Sequence, residues 1–245
     1  GLHRWLPLGL VGDAEMVTLS GLEDALHQTD ATPPWRQLLM KRDLVVEASR
    51  HLPKVWVMRG PRQFLDLGCG LGYAAMLWSD FYARFKIPAQ VFATDLSPYY
   101  LTLARECELL STRPGSIKYV ASDGVHLPFQ DKSFDAIWSA QVLYRFTSVR
   151  RGIEEIKRVL KPGGVWVGLE NAVPPTAQHR AEYLLRYIAK ERIASPRSLR
   201  AWSAVAKSHG LTLSMVPGSK LQAQWIRRVL ACYQPVHILL QWERP

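Results

Sequence analysis

The chain has little cysteine, no long apolar run and fewer acids than bases, and each shortage removes a class of protein. Its three cysteines, Cys69, Cys107 and Cys232, are odd in number, and none stands in Cys-x-x-Cys spacing. That argues against a disulfide framework or a cysteine zinc site and makes a reducing, cytoplasmic compartment the expectation. No apolar stretch approaches the ~18 residues of a membrane-spanning helix. Leu6 to Gly12 is apolar but short, is broken by Pro7 and lacks a strongly basic lead, so it does not read as a signal peptide. Internal repeats and low-complexity segments are also missing. Lys and Arg number 31 against 21 Asp and Glu, a formal net charge of +10, which can attract phosphates, anionic substrates or nucleic acid. The positive residues are scattered, with local clusters only at 145–151, 180–200 and 227–228. Without a Lys/Arg tract, nucleic acid is the weaker partner expectation.

What is present is a chain of 245 residues, 48% hydrophobic, long enough to bury a full core. Pro33 and Pro34 open a helical pattern in which Trp35, Leu38, Leu39, Leu44, Val45, Val46 and Ala48 share one face. From Pro61 the rhythm becomes strand, turn, helix. The apolar runs predict strands at Gln63–Leu67, Gln90–Thr94, Ile117–Ala121, Phe134–Ser139, Val165–Leu169, Leu211–Val216 and Val236–Trp242. Between them, helices are predicted at Tyr73–Phe85, Pro98–Leu110 and Val149–Leu160, the last stopped by the breaker Lys161-Pro162-Gly163-Gly164. Further helices are predicted at Thr176–Ile193, from an N-cap and N1 proline at Ser195-Pro196 through Ser208, and at Leu221–Cys232. This alternation predicts an α/β fold: a doubly wound, seven-stranded, mostly parallel sheet of Rossmann-like type. An N-terminal helical segment or lid occupies 1–60, the core 61–245, and a helical insertion 173–195 follows the fifth strand over the site. The chain starts at Gly1, which raises the expectation of a domain from a longer polypeptide.

The sharpest signal is Phe64-Leu65-Asp66-Leu67-Gly68-Cys69-Gly70-Leu71-Gly72. An apolar strand delivers a carboxylate, three alternate glycines follow, and a helix begins. Glycines let the backbone turn tightly and let a ligand approach with no Cβ in the way. A dinucleotide loop of G-x-G-x-x-G type would place its third glycine one residue later, where Tyr73 stands. Asp66 suits a cationic ligand such as an ammonium or sulfonium and would repel a pyrophosphate; its alternative role is to cap the amides of the loop. Asp95, in Thr94-Asp95-Leu96-Ser97, ends the second strand where an acid can bind both ribose hydroxyls of a nucleoside, or can cap the next helix. Asp123, in Ser122-Asp123-Gly124-Val125, can accept from an adenine amino group or serve as a turn residue before Gly124.

These segments, with Leu127-Pro128-Phe129, Ser133-Phe134-Asp135 and Arg158-Val159-Leu160-Lys161-Pro162-Gly163-Gly164, resemble the class I S-adenosylmethionine-dependent methyltransferases. The resemblance runs from about Pro61 to Asn171. It is strongest to the branch typified by the ubiquinone/menaquinone-biosynthesis methyltransferases (methyltransferase type 11). It implies a sheet of six parallel strands with one antiparallel strand inserted near an edge. S-adenosylmethionine is the implied cofactor and S-adenosylhomocysteine the product. Asp66, Gly68, Cys69, Gly70 and Gly72 would hold the methionine part, Asp95 with Leu96 and Ser97 the ribose, and Asp123, Gly124 and Val125 the adenine. Ser139 and Gln141 would lie near the methyl group. Two departures concern the acceptor side: His126, where a small or acidic residue is common, and Tyr144-Arg145 in place of a commoner histidine pair.

Methyl transfer from a sulfonium is an in-line displacement, so the protein mainly orients the acceptor and excludes water. A hydroxyl acceptor also needs a base. Gln141 and Tyr144 follow the fourth strand, and His179 lies in the insertion with an imidazole suited to neutral pH; these are the candidate catalytic residues. Each has a plainer alternative, His179 as a solvated polar residue beside Arg180. Glu170 reads as a residue that shapes the pocket rather than as the base. No metal is expected. The expected activity is methylation of a small or carrier-bound organic acceptor, at a hydroxyl oxygen before carbon or nitrogen. The alternatives are an RNA or protein methyltransferase, motivated by the charge, and a non-catalytic cofactor-binding module. Ser139-Ala140-Gln141-Val142 stands where amino-methylating nucleic-acid enzymes carry an Asn-Pro-Pro-Tyr-like motif, which argues against that class.

Overall fold

The computed structural model describes residues 63–109, 111, 113–173, 197–216 and 236–243. The N-terminal helical segment, nearly all of the 173–195 insertion and the Leu221–Cys232 helix lie outside the described residues. No helix among the described residues is long and apolar enough to cross a membrane.

The described chain is one sheet with helices against it. Its strands are β1 (Gln63–Leu67), β2 (Gln90–Asp95), β3 (Ile117–Ala121), β4 (Phe134–Ala140), β5 (Leu160–Val173), β6 (Arg197–Ser198), β7 (Thr212–Val216) and β8 (Val236–Glu243). The helices are α1 (Tyr73–Arg84), α2 (Pro98–Leu109), α3 (Val149–Val159) and α4 (Leu199–Ser208), with a 3-10 turn at Leu143–Arg145. The order is β3-β2-β1-β4-β5-β8-β7, and the two-residue β6 pairs with the end of β5. Strands β3 to β5 run parallel, and β8 lies antiparallel between β5 and β7. The doubly wound sheet and its single reversed strand are as expected; β6 is an eighth, short strand that the apolar pattern did not signal.

Alternation along each strand divides the core. Phe64 and Trp138 face one side with Trp78 and Tyr82 of α1; Leu65, Ile137 and Trp166 face the other with Ile153 and Ile156 of α3 and Trp202 of α4. Helix α3 buries Val149, Gly152, Ile153, Ile156 and Val159 along one stripe. Ser148 caps it, its Oγ accepting from Arg151 N at 3.3 Å.

Two boundaries differ from the sequence reading for identifiable reasons. The Lys161–Gly164 breaker ends α3 but does not delay the next strand. Leu160 already pairs with Phe134, and after a register shift Val165 pairs with Ala136, so the breaker forms a bulge within β5. Gly163 takes φ 70°, which explains its glycine. Helix α4 starts at Leu199, later than the Ser195-Pro196 signal, because 197 and 198 are held in β6. Ser198 is the cap, its Oγ accepting from Ala201 N at 3.3 Å.

Candidate active site

The strand order reverses between β1 and β4, and open α/β sheets bind ligands in the crevice beyond such a point. The glycine loop leaves β1 there. Gly68, Gly70 and Gly72 all take positive φ, 69°, 55° and 75°, so all three positions favour glycine on backbone grounds alone. Cys69 N donates to Thr94 O at 2.8 Å, tying the loop to the end of β2. Cys69 is itself buried, its thiol 3.6 Å from Gly70 O. Gly72 is the N-cap of α1 and has no side chain to cap with. Asp66 supplies what is missing: only 2% exposed, its Oδ2 accepts from Ala75 N in the first turn of α1 at 3.0 Å. A carboxylate is favourable at that helix end. Asp66 thus fills the capping role that the sequence left open beside ligand binding.

Asp95 stands half-buried at the tip of β2. Its Oδ2 accepts from Gly70 N at 2.9 Å and its Oδ1 from Ser97 N at 3.0 Å. One carboxylate therefore fixes both the centre of the glycine loop and the entry to α2. A carboxylate oxygen can accept about two hydrogen bonds, so these two contacts leave capacity on each. Ser97 caps α2, its Oγ accepting from Tyr100 N at 3.4 Å. Between them Leu96 is 69% exposed, an uncovered apolar side chain beside the acid. At the next strand tip Asp123 Oδ1 accepts from Val125 N at 3.1 Å and His126 N donates to Asp123 O at 3.0 Å, a closed turn. Val125 is buried and Ser122 Oγ is buried with no hydrogen-bond partner. Gly124 is packed against the ring of Phe146, where a Cβ would collide.

Across the crevice, the tips of β4 and β5 form a second group. Ser139 is fully buried and its Oγ accepts from Trp166 Nε1 at 3.1 Å, so its hydroxyl is engaged inside the sheet. Gln141 takes φ 56°, unusual for a residue other than glycine. Its N donates to Leu169 O at 2.7 Å, and its Nε2 lies 3.5 Å from Asn171 Oδ1. Glu170, 0% exposed, accepts on Oε1 from Val142 N at 3.0 Å and Leu143 N at 2.8 Å; its Oε2 is buried with no hydrogen-bond partner. Burial pushes the Glu170 carboxyl up to about 7, although the two amides and the charges of Arg197 and Arg145 pull it down. Tyr144 is half-buried, its Oη accepting from Arg145 Nε at 2.9 Å. His179 lies outside the described residues.

With this geometry in view, residues 65–168 match a family described as a methyltransferase domain. Over this stretch the chain is similar to the S-adenosylmethionine-dependent methyltransferases. Among its relatives, the demethylmenaquinone methyltransferase of Thermus thermophilus is 32% identical over 118 residues, 48% of this chain and 50% of that protein. The mitochondrial arginine-hydroxylase NDUFAF5 of Mus musculus is also 32% identical, over 42% of this chain and 27% of that protein. The chain thus spans half or less of the length of these curated relatives. Among solved structures the cyclase SpnF superposes with a TM-score of 0.62 at 19% identity, covering 83% of this chain and 79% of that one.

S-adenosylmethionine is the cofactor of this methyltransferase family, and the residues present fit it. Asp95 offers a half-buried anion with accepting capacity, Leu96 an exposed apolar surface beside it, and Ser122 an orphaned buried hydroxyl one strand further on. Three residues that support this site were given no role from sequence, although Arg158 stands in one of the motifs that carry the resemblance. Phe146 packs against both Gly124 and Gly152, joining the β3 tip to α3. Arg158 ties down the loop after it: its guanidinium donates to Leu127 O at 2.9 Å, Phe129 O at 2.8 Å and Asp131 Oδ1 at 2.8 Å. Glu155 completes that clamp, accepting from Leu127 N at 2.8 Å, and Arg158 holds its carboxyl below the ordinary range. A glycine pair and one residue of each charge carry no local signal of such contacts; only the fold brings them together.

Proposed function

We propose that this chain transfers the methyl group of S-adenosylmethionine to a small or carrier-bound organic acceptor, with a hydroxyl oxygen as the receiving atom. The observation that carries the reading is Asp95, which braces the centre of the glycine loop at the switch point while keeping accepting capacity on both oxygens. When bound, the cofactor supplies an electrophilic methyl on a good leaving group. The chain's residues do the rest by placement. Asp95 accepts from the ribose hydroxyls, Leu96 lies along the nucleoside, and the turn Asp123-Gly124-Val125 borders the adenine. The backbone of Gly68 to Gly72, held in shape by Asp66 and Cys69, embraces the methionine end. Gln141 projects from the β4 tip toward the acceptor side. Tyr144, steadied by Arg145, and His179 are the proposed groups for receiving the hydroxyl proton.

Calorimetry with S-adenosylmethionine tests the binding half. Wild type is expected to bind, and indifference to the cofactor would end the proposal. Incubation with a panel of phenols, quinols and aliphatic alcohols, read as S-adenosylhomocysteine release, tests the transfer half. Relatives named as a hydroxylase and a cyclase motivate a second reading, in which the cofactor site is kept without methyl transfer. Binding with no S-adenosylhomocysteine product across the panel favours that reading.

A further inference from the structure

Glu170 is a fully buried carboxylate that none of the steps above uses. Its surroundings form a chain of contacts between β5 and the glycine loop. Gln141 N is fixed on Leu169 O at 2.7 Å, which brings the chain out of β4 in a left-handed turn. The next two amides, Val142 N and Leu143 N, both donate to Glu170 Oε1. The side chain of Val142 then fills the place a Cβ on Gly68 would occupy, with its Cγ2 against that glycine. Three links therefore lead from Glu170 through the Val142 backbone and the Val142 side chain to the first residue of the loop. Asp95, in contrast, braces the same loop at Gly70 from the nucleoside side.

We infer that Glu170 is a positioning residue for the methionine end of the cofactor site: by clamping the amides of Val142 and Leu143 it presses Val142 onto Gly68 and sets the shape of the loop there. The inference rests on the function proposed above and deepens it. Two consecutive buried amides at the start of a 3-10 turn need an acceptor, and an ionisable group does more than that requirement asks. The cost of burying it is offset in part by Arg197 and Arg145, which act on it electrostatically from β6 and the 3-10 turn. The nucleoside end has its own anchors in Asp95, at the tip of β2, and Asp123, just past β3, which hold Gly70, Ser97 and Val125.

The test separates the two ends of the ligand. Affinities for S-adenosylhomocysteine and for 5′-methylthioadenosine, which lacks the amino-acid portion, are measured by calorimetry in wild type, Glu170→Ala and Glu170→Gln. In Glu170→Ala the affinity for S-adenosylhomocysteine is expected to fall about tenfold, the scale of one lost hydrogen bond to a charged group. Methylthioadenosine should bind within about twofold of wild type. Glu170→Gln keeps an oxygen for the two amides and should recover most of the loss, which also guards against a misfolded alanine variant. Amide exchange at Val142 and Leu143 should accelerate in Glu170→Ala and slow again in Glu170→Gln. An unchanged S-adenosylhomocysteine affinity, an equal loss for both ligands, or a glutamine variant as weak as the alanine one would overturn the inference. Wild type that binds neither ligand would instead refute the proposed function, and the exchange measurement would still show whether the clamp exists.

Discussion

The acids at the tips of β1, β2 and β3 and the acid near the end of β5 serve the crevice in different ways. Asp66, Asp95 and Asp123 bind amides close to their own strand ends: Ala75 in the following helix, Ser97 two residues on, and Val125 two residues on. Asp95 also reaches a neighbouring strand's loop, at Gly70. Glu170 bonds to nothing local; its partners Val142 and Leu143 follow β4. Asp95 and Asp123 stay partly open to solvent, whereas Glu170 is sealed. The comparison teaches that the carboxylates proposed to meet a ligand keep some hydration and spare acceptor capacity. One that shapes the scaffold can be buried, at the expense of its ionisation.

The largest effect should come from the point where the two groups meet. Gly68→Ala adds a left-handed alanine and a collision with Val142, together about 4 kcal/mol of lost stability. Chemical denaturation would measure it, and Val142→Ala in the same chain should recover the steric part. Equal losses in the single and double variants would show that the two sides are not in contact.

Next comes the titration of Glu170. Its folded pKa of about 7 lies above its ordinary 4.5, so the folded chain holds this proton more tightly than the unfolded chain does. The resulting stabilisation is complete below about pH 4.5 and is lost as pH rises through 7, a contribution of about 3 kcal/mol. Unfolding curves at pH 5 and pH 8 should show that part of the slope in wild type and lack it in Glu170→Gln. A slope shared by both variants would assign it to other groups.

On the first group, Asp95→Ala removes the acceptor of two amides and the proposed acceptor for the ribose. Affinity for S-adenosylmethionine should fall about 100-fold, near 3 kcal/mol. Asp66→Ala removes a helix cap and should cost about 1 kcal/mol of stability with a smaller loss of affinity. If Asp66→Ala abolishes binding while leaving the melting temperature intact, Asp66 belongs with the ligand contacts rather than with the scaffold.

The same division explains what could be read in advance. Gln63–Leu67 and Ile117–Ala121 were predicted to the residue because an apolar run ends at residues that cannot continue it. The glycine loop was legible because positive φ leaves a compositional mark. The longer β5 was hidden, since Pro162-Gly163-Gly164 locally signals a break while β4 recaptures the chain on both sides of it. Ser139 shows the limit at the level of one side chain: it lies at the end of β4, as expected for a site residue, yet its hydroxyl is bonded to Trp166. Local pattern gives position along a strand; which neighbour takes a polar atom depends on another strand's register. Phe146 between two glycines and Glu170 under Val142 and Leu143 are contacts of that second kind.

The reversed strand has a consequence for the order in which the molecule can be made. As the chain leaves the ribosome, β7 appears before any strand it pairs with, and the free edge of β5 has no cover until β8 follows and slots between them. Closure of this side of the sheet by β7 therefore waits for β8. Until then two open edges compete for any passing strand, a window in which chaperones would find their purchase.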